Sequence, residues 1–283
     1  MARTHVNEER KSGRSLGTVL LNAPYTLWAA VFIVVPLLIV IYYTFTTKDG
    51  SFTLDNIKAL ADYKDTFITS VLYSLIATLI TLVMAYPFAF FMSRTKVSAQ
   101  KMMMMLVMLP MWMNLLIRTY SWMIILERNG IINNLLTSLG LESAKMIGTP
   151  GAVILGMVYN YLPYMILPIY TVMAKIDNSL YEAAEDLGCG TLQKVRRIVL
   201  PLSLPGVISG ITMVFVPSVS TFYISYKLGG GKIGLIGDAI ERQIQTSYNY
   251  NLGASLSLIL MVFILISLAI MNKFSGDDGG IVV

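Results

Sequence analysis

An all-α protein threaded six times through a lipid bilayer is the fold class the sequence predicts, and three observations predict it. Of 283 residues, 55% are hydrophobic. Only 13% are charged, where a soluble domain carries roughly 25%. The apolar residues are gathered into runs long enough to cross hydrocarbon as helix, about 20 residues each. Six such runs leave room for loops and none for a large separate soluble domain.

The first run, Pro24 to Thr46, follows a basic stretch with Arg3, Arg10, Lys11 and Arg14. That flank is also seen in signal peptides, but this apolar run is too long and no small-residue cleavage site ends it, so it reads as an uncleaved span. The others are Ile68 to Met92, Met102 to Leu126, Gly151 to Ala174, Leu202 to Tyr226 and Leu252 to Asn272. Residues 1–23 and 273–283 are the tails of this 24–272 membrane domain. Five of the runs contain no Asp, Glu, Lys or Arg, the pattern expected when a central charge costs about 2.5–3.5 kcal/mol. Arg118 in the third run is the exception.

Alternate connections divide the basic residues unevenly. The N-terminal tail, 93–101, 175–201 and the segment after Asn272 hold twelve Lys and Arg; the other three connections, equal in total length, hold eight. The positive-inside rule then puts both termini in the cytoplasm of a bacterial cell membrane. The same basic loops account for the net charge of +5 without nucleic-acid binding. Pro36, Pro87, Pro110, Pro163, Pro168, Pro205 and Pro217 interrupt the runs, and each proline frees a carbonyl that must be satisfied elsewhere. As a set they suggest a bundle that moves.

Several chemistries are excluded. One cysteine, Cys189, and one histidine, His5, cannot make a disulfide, a His/Cys metal cluster or a Ser-His-Asp centre. Met102 to Met105 point in four directions on a helix and cannot converge on one soft metal. Gly229-Gly230-Gly231-Lys232 lacks the spacing and the Ser/Thr of a phosphate loop. No proton relay lines the midplane, which argues against a secondary carrier. Gly206 and Gly210 are spaced to let the fifth span approach another helix closely.

The most informative connection is 176–201. Ser179 followed by Glu182 reads as a capping box opening a short helix, and Gly188 and Gly190 are placed to end it. A second short helix is predicted with Leu192, Val195, Ile198 and Val199 on one face and Lys194, Arg196 and Arg197 largely opposite. Together they read as a helix-turn-helix on the membrane surface with one face free.

Glu182-Ala183-Ala184, three residues, Gly188, nine residues, Ile198, one residue, then Leu200-Pro201 resembles, without a gap, the EAA loop of the integral membrane subunits of ATP-binding-cassette importers. The resemblance runs from the first span to the last. It is closest to the spermidine/putrescine permeases of the first-permease type, on Leu109-Pro110-Met111-Trp112, Asn114 to Tyr120, Leu162 to Met165 with Leu167-Pro168, Phe222 to Ser225, Gly229-Gly230 and Leu235-Ile236-Gly237. It implies a type I importer permease fold in which this loop is a coupling helix seated on an ATPase. Ala183 and Ala184 would permit close docking, Glu182 would offer a carboxylate, and Gly188 would set the angle between the short helices. It further implies a second permease completing a heterodimer, two ATPase subunits that keep ATP and Mg out of this chain, and an extracytoplasmic solute-binding protein. The chain itself is then not an enzyme. Iron, thiamine or an oxyanion are alternative cargoes within the same class.

Candidate path residues are aromatic or polar. Trp112, Tyr120, Tyr159, Tyr164, Phe222 and Tyr223 offer faces to a cation, at about 0.5–2 kcal/mol each, with Asn114 and Asn160 as polar contacts. Arg118 repels a cation and is read either as snorkelling to the headgroups or pairing with a neighbouring carbonyl, or as part of the outer gate or a contact to the docked binding protein. Ile233, Ile236, Ile240 and Ile244 outline an external amphipathic helix over Ile233 to Gln245, whose Asp238, Glu241 and Arg242 are predicted to face the binding protein.

Overall fold

The computed structural model describes residues 16–275, with side chains described for 23–273. His5 and most of both predicted tails lie outside the described residues. Within them the chain is helical, and an isolated bridge pairs Thr46 with Phe52. In chain order the helices are α1 (Ala23–Thr44), α2 (Asp55–Ser93), α3 (Val97–Trp112), α4 (Leu115–Leu126), α5 (Ile131–Ser138), α6 (Pro150–Met173) and α7 (Asn178–Asp186). Then come α8 (Thr191–Val219), α9 (Tyr223–Leu228), α10 (Ile236–Glu241) and α11 (Tyr250–Ser275).

Five of these, α1, α2, α6, α8 and α11, are long and apolar enough to span a membrane unaided. The predicted third span is different. It breaks at Met113–Asn114, and its two halves meet at 90°. Pro110 supplies no N–H to the ladder near the end of α3, Met113 is extended, and Asn114 restarts the chain by accepting the Leu116 N–H at 2.7 Å. The fifth span is also shorter than predicted at its far end. α8 stops at Val219, and Tyr223–Leu228 forms the separate helix α9.

α6 lies at the centre, packed against α2 and α8. Close approach is possible because α2 turns a stripe of small buried residues inward: Ser74, Ala77, Thr78, Thr81, Ala85 and Ala89. The Thr78 and Thr81 hydroxyls bond back to the carbonyls four residues earlier, so they stay in the dry interior without seeking another helix. On α8, a Cβ at Gly206 would lie 2.8 Å from the Pro168 carbonyl oxygen, and one at Gly210 2.7 Å from Met165 Sδ. The small-residue spacing in the fifth span therefore meets the fourth.

α1 stands apart. None of its membrane window is buried, and its main neighbour is α11. A π-helical turn at Ala30–Val34 precedes Pro36, whose missing N–H opens the ladder there. Its last carbonyls are collected by two asparagines: Asn56 donates to Thr44 and Thr46 O, and Asn251 to Tyr43 and Thr46 O. These contacts satisfy the orphan acceptors of a helix end and fasten the first span to the sixth.

Candidate coupling loop and permeation surface

The surface helix α7 begins two residues earlier than the capping box predicts. Asp177, rather than Ser179, is the cap, accepting the Ser179 N–H at 3.0 Å, and these bonds hold its carboxyl below the usual range. The far end closes as a Schellman motif. Cys189 N bonds Ala184 O at 2.9 Å, Gly188 N bonds Glu185 O at 2.8 Å, and Gly188 takes φ +73°, which L side chains rarely adopt.

The predicted second surface helix is not separate. Thr191–Lys194 and a π-helical turn, Val195–Val199, run directly into the fifth span. Ile198, Leu200 and Pro201 therefore form the foot of α8, with Val199 fully buried beside them and Leu200 exposed. Lys194 Nζ donates to Glu185 Oε1, tying that foot to α7 and lowering the Glu185 carboxyl's pKa. Glu182, Ala183 and Gly188 are exposed. Ala184 is not part of that free face: it is 5% exposed, on the inner side of α7 beside Tyr181 at 6%. Only the first alanine of the pair is presented outward.

At the opposite end the prediction for Asp238, Glu241 and Arg242 needs correction. α10 is packed inside rather than laid on a surface. Ile236 N donates to Ser70 Oγ of α2 at 2.7 Å, and a Cβ at Gly237 would fall 2.5 Å from Thr221 O, so only glycine admits that contact. Asp238 is 6% exposed and accepts the Leu235 N–H at 2.7 Å. Burial pushes its carboxyl up to about 6, against the opposing pull of the Leu235 N–H, Ser225 and Arg242. Glu241 is half-buried, and of the three only Arg242 is exposed.

The path candidates fall into separate places. Tyr120 of α4 and Tyr223 of α9 meet around the Lys227 ammonium, 5.1 and 5.8 Å from the ring centroids, and Tyr226 adds a third ring at 5.3 Å. Lys227 and Tyr226 were not among the sequence candidates, although Tyr223 and Lys227 stand four apart on a helix, the spacing that brings side chains together. Phe222 and Trp112 are exposed at the two chain breaks. Tyr159 sits elsewhere, edge-on to Trp122 at 5.2 Å, beside an apolar groove of about 510 Å³. Tyr164 is exposed near Tyr161, at 6.4 Å between centroids.

Of the polar candidates, Asn114 is engaged in the fold, and Asn160 and Arg118 are buried with polar atoms left without a partner. Asn114 spends its oxygen as the cap of α4. Asn160 is 1% exposed, and its amide donates to Gly156 O at 2.8 Å. Arg118 is 8% exposed, with Nε and Nη1 lacking a hydrogen-bond partner; it does not snorkel to a surface. Among the described residues no group of three His, Cys, Asp or Glu is placed to hold a metal.

Comparison with known proteins fits this arrangement. Residues 10–275 match the family described as "Binding-protein-dependent transport system inner membrane component". The chain is 40% identical to the spermidine/putrescine transport system permease protein PotB of Haemophilus influenzae over 236 residues, covering 80% of this chain and 82% of that protein. It is 38% identical to PotB of Escherichia coli, covering 80% and 86%. A chain of a bacterial alginate ABC transporter, solved in complex with an alginate pentasaccharide-bound periplasmic protein, superposes with a TM-score of 0.75 at 17% identity, over 93% of this chain and 97% of that one. By the family match across nearly its whole length, this all-helical, multi-pass chain belongs to the inner membrane components of binding-protein-dependent transport systems.

Proposed function

We propose that the chain is a permease subunit of an ATP-driven importer of polyamines, spermidine and putrescine being the cargo named for the relatives. It forms half of the solute path, and a second, related permease supplies the other half. ATP hydrolysis belongs to two separate ATPase subunits, which hold ATP and Mg, and capture belongs to an extracytoplasmic binding protein. Both termini and α7 face the cytoplasm, where the excess of Lys and Arg lies.

The observation that carries the cargo assignment is the 40% and 38% identity to two spermidine/putrescine permease proteins. Tyr120, Tyr223 and Tyr226 surround the Lys227 ammonium, a resident cation that must swing aside before a polyamine can use those rings. Each ring contributes about 0.5–2 kcal/mol, enough to guide passage and too little for capture, which agrees with a separate binding protein. Coupling rests on α7. It offers Glu182 and Ala183 to the ATPase, and Gly188 fixes the turn by which α7 meets the fifth span. ATP-driven closure of the ATPase pair displaces this helix, and the spans alternate access. With Asp238 buried, docking of the binding protein falls to exposed groups such as Arg242.

Co-purification tests the assignment. A tagged chain should bring down a second permease and an ATPase, and the binding protein of that system should bind spermidine or putrescine. A binding protein selective for iron, thiamine or an oxyanion would replace the cargo and leave the class intact.

A further inference from the structure

We infer that Arg94 is the joint that makes α7 move as one body with the second span, so that ATPase motion reaches the path through α2 as well as through the chain-linked foot of α8. The inference rests on the ATP-coupled reading above and names a positioning residue for it outside the EAA pattern.

Two polar connections tie α7 sideways to the bundle, beside the packing of Tyr181. One is the Lys194–Glu185 pair, whose glutamate side chain is 65% exposed and whose attraction is therefore screened by salt. The other is Arg94, in the turn that ends α2. Its guanidinium lies over the Tyr181 ring at 3.8 Å from the centroid, and Nη1 donates to Asn178 Oδ1 at 2.8 Å. Stacking and a directed hydrogen bond fix both distance and orientation, which a flexible lysine on an exposed carboxylate does not. Tyr181 is buried, in the same hydrophobic cluster as Met92 of α2 and Met173 of α6, so a push on α7 is delivered into packed side chains.

The turn that carries Arg94 is itself braced. The Gln100 amide donates to Ser93 O at 3.1 Å and Thr95 O at 2.9 Å, and its oxygen accepts from Tyr170 of α6 at 3.0 Å. Arg94 thus stands on a fixed base. Beside it lies a cavity of about 560 Å³, lined in part by Gln100, Tyr181 and Glu182. Without the arginine, α7 keeps its covalent link to α8 and the packing of Tyr181, and loses the stack and the hydrogen bond that orient it on the end of α2.

The test uses the intact complex, co-purified with its ATPase, partner permease and binding protein, in proteoliposomes with labelled spermidine. Cys189, a free thiol, is first replaced by Ser. In the Arg94→Cys/Asn178→Cys variant under reducing conditions, uptake per ATP hydrolysed should fall at least fivefold while the ATPase stays bound. Bridging the two thiols with a short bis-methanethiosulfonate should restore coupling to within twofold of the parent, because the linker replaces the arginine. Arg94→Lys, which keeps charge without the planar stack, should fall between them. Full coupling in the reduced variant overturns the inference, as does loss of the ATPase or of coupling that bridging does not repair. A Cys189→Ser parent with no ATP-dependent uptake would instead overturn the reading on which the inference rests.

Discussion

At the scale of single residues, position in the fold decides which side chains are free to act. Gly188 closes α7 at φ +73°, a conformation that costs an L residue about 1–2 kcal/mol. Gly188→Val should leave the chain inserted but reduce the ATPase recovered with it several-fold in detergent pull-downs. Tyr120→Ala and Tyr223→Ala each remove one ring near the Lys227 ammonium. Each should lower spermidine uptake by about 2- to 30-fold, as the energy of a cation–π contact dictates, with no change in the binding protein's affinity. Asp238 gives a pH dependence of definite sign. Its folded pKa, about 6, exceeds the ordinary value of about 3.9, so between those limits the folded state binds the proton more tightly. Its contribution is fully present below about pH 4 and is lost as pH rises through 6. Asp238→Asn should flatten that fall in thermal stability.

At the scale of elements, the loop was legible because its signals are local. A glycine after a helix, a proline at a foot and a fixed run of small and acidic residues need no knowledge of neighbours. Three details still depended on packing or on chain direction: the cap is Asp177 because its side chain reaches the Ser179 N–H, Ala184 turns inward with Tyr181, and the second short helix is continuous with the fifth span. The broken third span was not legible. Pro163 and Pro168 sit within an unbroken α6 and Pro205 within α8, whereas Pro110 precedes a 90° turn; composition alone does not separate these cases. The isoleucines of 233–244 fit an amphipathic helix, yet Gly237 lets the Thr221 carbonyl approach and draws Asp238 inside. Asn114→Ala, removing the cap of α4, should cost about 1 kcal/mol, seen as a lower melting temperature of the detergent-solubilised chain. Gly206→Val should do more, by about 1–3 kcal/mol of overpacking against α6, and shift the chain toward aggregate in size-exclusion chromatography.

At the scale of the whole molecule, the arrangement is a bundle with a handle. α2, α6 and α8 form a tight centre, α1 is attached through α11, and α7 is tied to the centre by Arg94 and Lys194. The broad flank of α1 and the exposed break at Trp112 leave apolar surface outside the bundle. Within the six apolar runs of the sequence the one charged side chain is Arg118, which leaves them without the ionisable relay that a proton-driven carrier uses. The account therefore stands on α7 receiving work from outside the chain. Reconstitution measures this directly, by comparing labelled spermidine uptake into proteoliposomes that hold this chain alone with uptake into vesicles that hold the complete complex, with and without ATP inside. The account predicts uptake only in the complete complex with ATP; ATP-independent, saturable uptake by the chain alone would contradict it.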